Sequence, residues 1–354
     1  MAPRFSVLLP THNRADLVGY AIRSVLWQSE QDFELLIVGD GCTDGTAEVV
    51  AGFDDARIRW FDLLKAPHFG YANRNIALRQ ATGDLVAFIA HDDIWFPDHL
   101  ELLSGQLERG AAEWAYSRPL WVSTDGFVVP IGVNLTNEDE LEHFLTEANS
   151  IPALCVMHRR SCLEDYGYWP EDAPEAADWL LWGKIIEGGG RQRLAFFRTP
   201  TSLHFKASWR KGRMGCDPAE AGLKAATLMG WWPEALKLDV PPGVTEQRVF
   251  FEAILSGGAQ WLDSLRLASS DALDRIAWTT MTTLIPQIDQ RQAEIGERSQ
   301  QIKLAGRLAR RWERRAAKER AKLQSLRQTL ESVQTSASWR LTRPLRALKR
   351  LLGR

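Results

Sequence analysis

Two acidic clusters in the first hundred residues carry the side chains best suited to chemistry. The string Phe88-Ile89-Ala90-His91-Asp92-Asp93 ends an apolar run in two adjacent carboxylates. A hard divalent cation shared with a diphosphate takes few protein ligands and keeps open positions, and a carboxylate pair at a strand end meets that need. The same pair could equally be a solvated turn that opens a helix. The second cluster is Val38-Gly39-Asp40-Gly41-Cys42-Thr43-Asp44-Gly45-Thr46. Its glycines follow G-x-G-x-x-x-G rather than the G-x-G-x-x-G of dinucleotide loops, and its acids would repel a pyrophosphate. Asp40, placed just after a strand, is suited to accept hydrogen bonds from a base N–H or a ribose hydroxyl. Asp44 is suited to cap the helix that follows.

The elements that must position these residues are written in the hydrophobic period. Phe5–Leu9, Phe33–Val38, Ile58–Leu63 and Leu85–Ala90 are compact apolar runs. Between them, Leu17–Trp27, Gly45–Val50 and Tyr71–Ala81 carry helical spacing. This β-α-β-α-β-α-β order predicts an α/β fold with a mainly parallel central sheet, whose strands are buried on both faces. Ligands of such sheets bind beyond the carboxyl ends of the strands, so the loops at 10–14, 39–45 and 91–95 are the ones to watch. Residues 111–206 read as irregular, and 217–285 as helical. From Pro286 a polar segment repeats apolar residues by sevens from Ile288, which predicts a coiled coil or a single long helix.

Four motifs in order resemble glycosyltransferase family 2, with its GT-A nucleotide-sugar-binding fold. They are Pro10-Thr11-His12-Asn13-Arg14, the Gly39–Thr46 cluster, Arg74-Asn75 with Ala81-Thr82-Gly83-Asp84, and the Asp92-Asp93 pair. The resemblance implies an inverting transfer of sugar from a UDP-, dTDP- or GDP-linked donor, assisted by Mn²⁺ or Mg²⁺. It implies that Pro10, Thr11, Asn13, Arg14, Asp40, Arg74, Asn75 and Asp92 contact the nucleotide, with His12 beside them. It also implies that Asp92, Asp93 and His204 form the metal shell. In Ala177-Asp178-Trp179-Leu180-Leu181-Trp182, Asp178 matches the second acid of a family motif whose carboxylate takes the acceptor's proton. A helix cap is the other reading of Asp178. Arg210, Lys211 and Arg213 could close over the diphosphate, and Trp95, Trp169 and Trp179 could stack on sugar, although core packing is the commoner fate of a tryptophan.

The net charge of −2 conceals an asymmetry, because residues 300–354 carry 16 Lys/Arg against three Asp/Glu, a local +13 that leaves about −15 elsewhere. Residues 338–354 place Trp339 and leucines among six basic residues and no acid, a pattern suited to an interfacial helix on an anionic membrane surface. The Ser-Trp-Arg-Leu-Thr-x-Pro-Leu-Arg string there resembles the ends of bacterial enzymes that build surface polysaccharide such as O-antigen. No nucleic-acid-binding motif accompanies the basic stretch. The four cysteines show no metal spacing and read as free thiols in a reducing compartment. No apolar run has the length of a membrane span, so the expectation is a cytoplasmic protein, peripheral on the inner membrane face. The expected organisation is a transferase domain at 1–215, a helical extension at 216–285, a coiled coil or long helix at 286–337 and a basic amphipathic tail at 338–354. Expected partners are the nucleotide sugar, a glycan or lipid-linked acceptor, and a second copy through the coiled coil. Ala90, Gly39 and Ala177 stand where the family often carries acids. They favour the rival reading, a non-catalytic coiled-coil scaffold with a degenerate transferase domain. A nucleotidyltransferase would want a Gly-rich basic segment after the first strand, which Pro10–Arg14 is not.

Overall fold

The structure, a computed structural model, describes residues 2–206, 230–337 and Arg346. The predicted alternation is present: β1 (Phe5–Thr11), α1 (Val18–Leu26), β2 (Phe33–Asp40), α2 (Thr46–Ala51), β3 (Ile58–Leu63), α3 (Tyr71–Leu78) and β4 (Leu85–Phe88). The first strand pairs in parallel with β2 on one side and β4 on the other, and β2 pairs in parallel with β3. Every residue of β2 is buried, as a parallel strand covered on both faces requires.

The chain from Ile94 to Lys206, including the 111–206 stretch that reads as irregular, is as regular as the first part and extends the main sheet while adding a second one. It supplies β5 (Ile94–Trp95), α4 (His99–Glu108), β6 (Trp114–Ser117), β7 (Leu120–Val122), β8 (Val128–Pro130), α5 (Glu138–Thr146), β9 (Val156–Arg159), α6 (Ser161–Tyr166), α7 (Ala177–Gly189), β10 (Leu194–Phe197) and β11 (Ser202–Phe205). The main sheet has seven strands in the order β10-β6-β9-β4-β1-β2-β3. Only β9 runs against the others, wedged antiparallel between β4 and β6. The carboxyl ends of β1, β2, β4, β6 and β10 therefore share one edge.

A smaller sheet, β5-β11-β7-β8, follows from that edge. Its Ile94, Leu120, Val122, Leu203 and Phe205 form a buried cluster with Phe250, Ile254 and Leu265 of α8 (Glu246–Thr279). That shared core carries the body past residue 215. The compact unit runs Met1–Ala277, because α8 covers the second sheet and is part of the body. The second unit, Trp278–Arg354, contains α9 (Ile285–Thr335), a 51-residue helix with Pro at its first turn and no buried residue. Cys42, Cys155 and Cys162 are free thiols, while Cys216 lies outside the described residues.

Two core histidines set an expectation for acid stability. His99 stacks on Trp95 at 4.1 Å and meets Thr201 Oγ1 at 2.8 Å. His158 lies among Phe88 and Trp182. Burial pushes His99 down to about 3 and His158 down to about 4. An unfolded histidine titrates near ~6.5, so below that pH the unfolded chain binds protons that the folded chain refuses. Stability is therefore fully present above ~6.5 and falls as the pH drops toward 4. Two such groups give a slope of up to about 2.7 kcal/mol per pH unit. Urea unfolding at pH 7, 6 and 5 reads this directly, and a flat stability over that range would contradict it.

Candidate active site

The carboxyl edge collects the predicted acids. Asp40 ends β2 and is buried, as are Asp92 and Asp93 in the turn after β4. A loop wraps Asp40. Its Oδ1 accepts from the Ala66 N–H at 2.9 Å and from Asn73 Nδ2 at 2.7 Å, and its Oδ2 pairs with Lys65. The approach is close because of Gly70, in left-handed conformation (φ 75°), where a Cβ would sit 2.5 Å from the Asp40 carboxylate. Gly39 is also explained by packing. A Cβ there would lie 2.3 Å from the Trp60 ring, so indole fills the space in which an acid at 39 would stand.

The β1 loop is tied to the β2 loop rather than hanging free. His12 Nδ1 meets the Asp40 carbonyl at 2.7 Å, and Asn13, at φ 51°, accepts from the Thr43 N–H at 2.7 Å. Arg14 donates its backbone N–H to Thr46 Oγ1 at 2.9 Å. Pro10 offers its carbonyl to His91 Nδ1 at 3.3 Å, and Thr11 is buried at the tip of β1. Asp44 accepts from Thr46 N–H at 3.0 Å and from Ala15 N–H at 3.1 Å; the N-cap position itself is Gly45. It fixes the turn one residue ahead of the cap.

Asp93 and His204 are brought together from 111 residues apart. Asp93 Oδ1 accepts from His204 Nδ1 at 3.0 Å and from the Phe205 N–H at 3.1 Å. A carboxylate only accepts, so Nδ1 carries the proton of this bond and Nε2 is the ring nitrogen left to face a ligand. The edge of Trp121 packs on the same ring at 4.9 Å. Gln247, from α8, donates to the Asp92 carbonyl at 3.3 Å. Neither Trp121 nor Gln247 carries a motif that sequence reasoning could use.

Asp178 lies in the first turn of α7, but it is not the cap. That position is Ala176, at φ 54°, and it makes no side-chain cap bond. Burial pushes the Asp178 carboxyl above its ordinary range, while the Trp179 N–H, the Arg74 guanidinium and His204 pull the other way. Arg74 is held between aromatic faces, its guanidinium carbon 4.9 Å from the Tyr71 ring and 4.8 Å from the Trp169 ring. Burial lowers its affinity for its proton, and Tyr71, Asp178 and Asp40 oppose that loss. Arg74 thus feels both the acid at the end of β2 and the acid at the start of α7.

Against this geometry, the model of "Glycosyl transferase family 2" matches residues 6–166. Those residues are a family 2 glycosyltransferase domain. An E. coli relative, "UDP-Glc:alpha-D-GlcNAc-diphosphoundecaprenol beta-1,3-glucosyltransferase WfgD", is 26% identical over 182 residues, covering 51% of this chain and 69% of that protein. An uncharacterized glycosyltransferase of Rickettsia conorii is 37% identical over 100 residues, and the chain spans 28% of itself but only 16% of that relative's length. A crystal structure of S. aureus TarS residues 1–349 with UDP-GlcNAc is 22% identical, with a TM-score of 0.48 over 58% of this chain and 59% of that one.

Four of the residues singled out in the sequence are engaged within the protein itself. Asn75 is buried, donates to the Trp169 carbonyl at 2.8 Å and to Glu171 at 2.9 Å, and accepts from the Trp169 N–H at 3.1 Å. Its amide holds the 169–171 segment against α3. Trp95 is wholly buried, with its indole N–H given to the Leu154 carbonyl at 3.0 Å, so it cannot stack on sugar. Trp179 donates to the Phe144 carbonyl at 2.5 Å, and Trp169 is occupied by Arg74. Arg210, Lys211 and Arg213 lie outside the described residues. Among the described residues no three His, Cys, Asp or Glu side chains converge as a ready-made metal cage. The donor set still fits a hard cation that binds one or two carboxylates and completes its shell with diphosphate oxygens.

Proposed function

We propose that the chain is an inverting, metal-dependent glycosyltransferase. It moves a sugar from a UDP-, dTDP- or GDP-linked donor to a hydroxyl of a glycan or lipid-linked acceptor, in bacterial surface polysaccharide synthesis. The observation that carries this reading is the gathering of Asp40, Arg74, Asp93, His204 and Asp178 at one sheet edge. Asp40 and the 10–14 loop would hold the nucleoside, and Asp92, Asp93 and His204 would hold Mg²⁺ or Mn²⁺. Bound there, the cation supplies charge neutralisation for the leaving diphosphate. Asp178, raised by burial, takes the acceptor proton as the hydroxyl attacks opposite the leaving group. The acceptor class is drawn from relatives such as WfgD, named for a diphosphoundecaprenol substrate.

A thermal-shift screen of UDP-, GDP- and dTDP-sugars with and without Mn²⁺ tests the reading. A donor at ~100 times its Kd stabilises the folded state by about 2.7 kcal/mol, which moves Tm by several degrees. If no nucleotide sugar shifts Tm in either condition, the scaffold reading takes its place. That reading draws on α9, whose Ile288, Ile295, Ile302, Trp312 and Leu323 are all more than half exposed and would be covered by the same helix of a second copy. No helix among the described residues is long and apolar enough to cross a membrane. Residues 338–345 and 347–354 of the basic tail, with Trp339, lie outside the described residues. Their composition supports a proposed seat on anionic lipid at the inner membrane face.

A further inference from the structure

The parallel pair β6 and β10 ends in register at Ser117 and Phe197, and each strand runs straight into an arginine. Arg118 and Arg198 flank one aromatic ring, their guanidinium carbons 5.5 Å and 5.8 Å from the Phe196 centroid. Arg118 spends its Nε on the Arg198 carbonyl at 2.9 Å and one Nη1 hydrogen on the Ile131 carbonyl at 3.5 Å, which leaves its Nη2 and the whole Arg198 fork. Among the described residues neither arginine has an ion pair, and Arg198 donates no side-chain hydrogen bond. Burial and then the like charge of Arg198 lower Arg118 below its ordinary value. The two cations share one ring, and the carboxylates that favour the charged form of Arg118, Asp274 and Glu140, do so without an ion pair to it, so a bound anion would add to what they supply.

These arginines line a groove of about 870 Å³ between the end of β8 and α8. Arg266 is on its wall too, but is neutralised by Asp98 at 2.7 Å. One carboxylate, Asp274, also lines it. The indole Nε1 of Trp232 is buried on the same wall and has no hydrogen-bond partner. The groove therefore presents unspent donors and an aromatic side chain. None of Asp40, Asp93, His204 and Asp178 lines it.

We propose that this groove binds a phosphate borne on a saccharide, with Arg118 and Arg198 gripping the phosphate oxygens and Trp232 beside the sugar. Planar guanidinium forks suit phosphate, and aromatic side chains suit the apolar face and hydroxyl rim of a sugar. Titration of the full chain with glucose 1-phosphate, inorganic phosphate and glucose at about 50 mM salt tests it by calorimetry. Glucose 1-phosphate should bind, and Arg198→Gln should weaken it by at least about 10-fold. Arg198→Lys, which keeps the charge but not the fork, should fall between the two. Arg198 is exposed, so these variants keep the fold, which circular dichroism verifies. Unchanged binding in Arg198→Gln, or no binding by the wild type, overturns the site. Inorganic phosphate binding as tightly as glucose 1-phosphate overturns the saccharide assignment. The measurement needs no turnover, so failure of the transferase reading leaves it standing.

Discussion

Asp178→Asn is expected to lower turnover by about 10²-fold or more while donor affinity stays within a factor of two or so. Asp178 is not the N-cap residue of α7, and the amide oxygen of asparagine can still accept from the Trp179 N–H, so the isosteric change removes the base without opening the helix. The variant should melt within about a degree of the wild type, since no packing is lost. The raised carboxyl adds a second signature. Its folded value sits above the ordinary range, so the limb of the kcat/KM profile that reports deprotonation of the base lies at higher pH than a free aspartate would give. Near-normal turnover in a folded Asp178→Asn protein would move the base elsewhere.

Excess EDTA is expected to abolish turnover, with recovery on adding Mn²⁺ or Mg²⁺, and Asp93→Asn should cost about 10³-fold in the presence of metal. Asparagine is the informative substitution. Its Oδ1 can still accept from His204 and from the Phe205 N–H, so the β4 turn stays joined to β11 while the charge is lost. Alanine would strand two buried donors and confuse binding with stability, at about 1–3 kcal/mol for each. Donor binding measured by calorimetry in the same variant separates the two effects. Full activity in EDTA would leave the Asp93–His204 pair as architecture alone.

The parallel half of the sheet was legible because each strand is buried on both faces and is therefore spelled as an unbroken apolar run. The second sheet was not, because β5, β7 and β8 have two or three residues each, too few to show any period. Its core partner, α8, looked like an extension for the same reason: the surface it covers could not be seen. The acids after β2 and β4 and at the start of α7 could be picked by type and motif. Their partners could not. Lys65 and Asn73 reach Asp40 across 25 and 33 residues, and Gln247 reaches the Asp92 turn across 155, with no local signal. The partners of Asn75 in the 169–171 segment were hidden for the same reason.

The packing of Gly39 under Trp60 couples the two positions in any variant. An acid at 39 and the indole at 60 in its present rotamer are mutually exclusive, because the ring and the Cβ would occupy one volume. Trp60 must move aside or shrink before Gly39→Asp is tolerated, because the far end of its ring and the new Cβ would overlap. A substitution at 39 can therefore be interpreted only together with the side chain at 60.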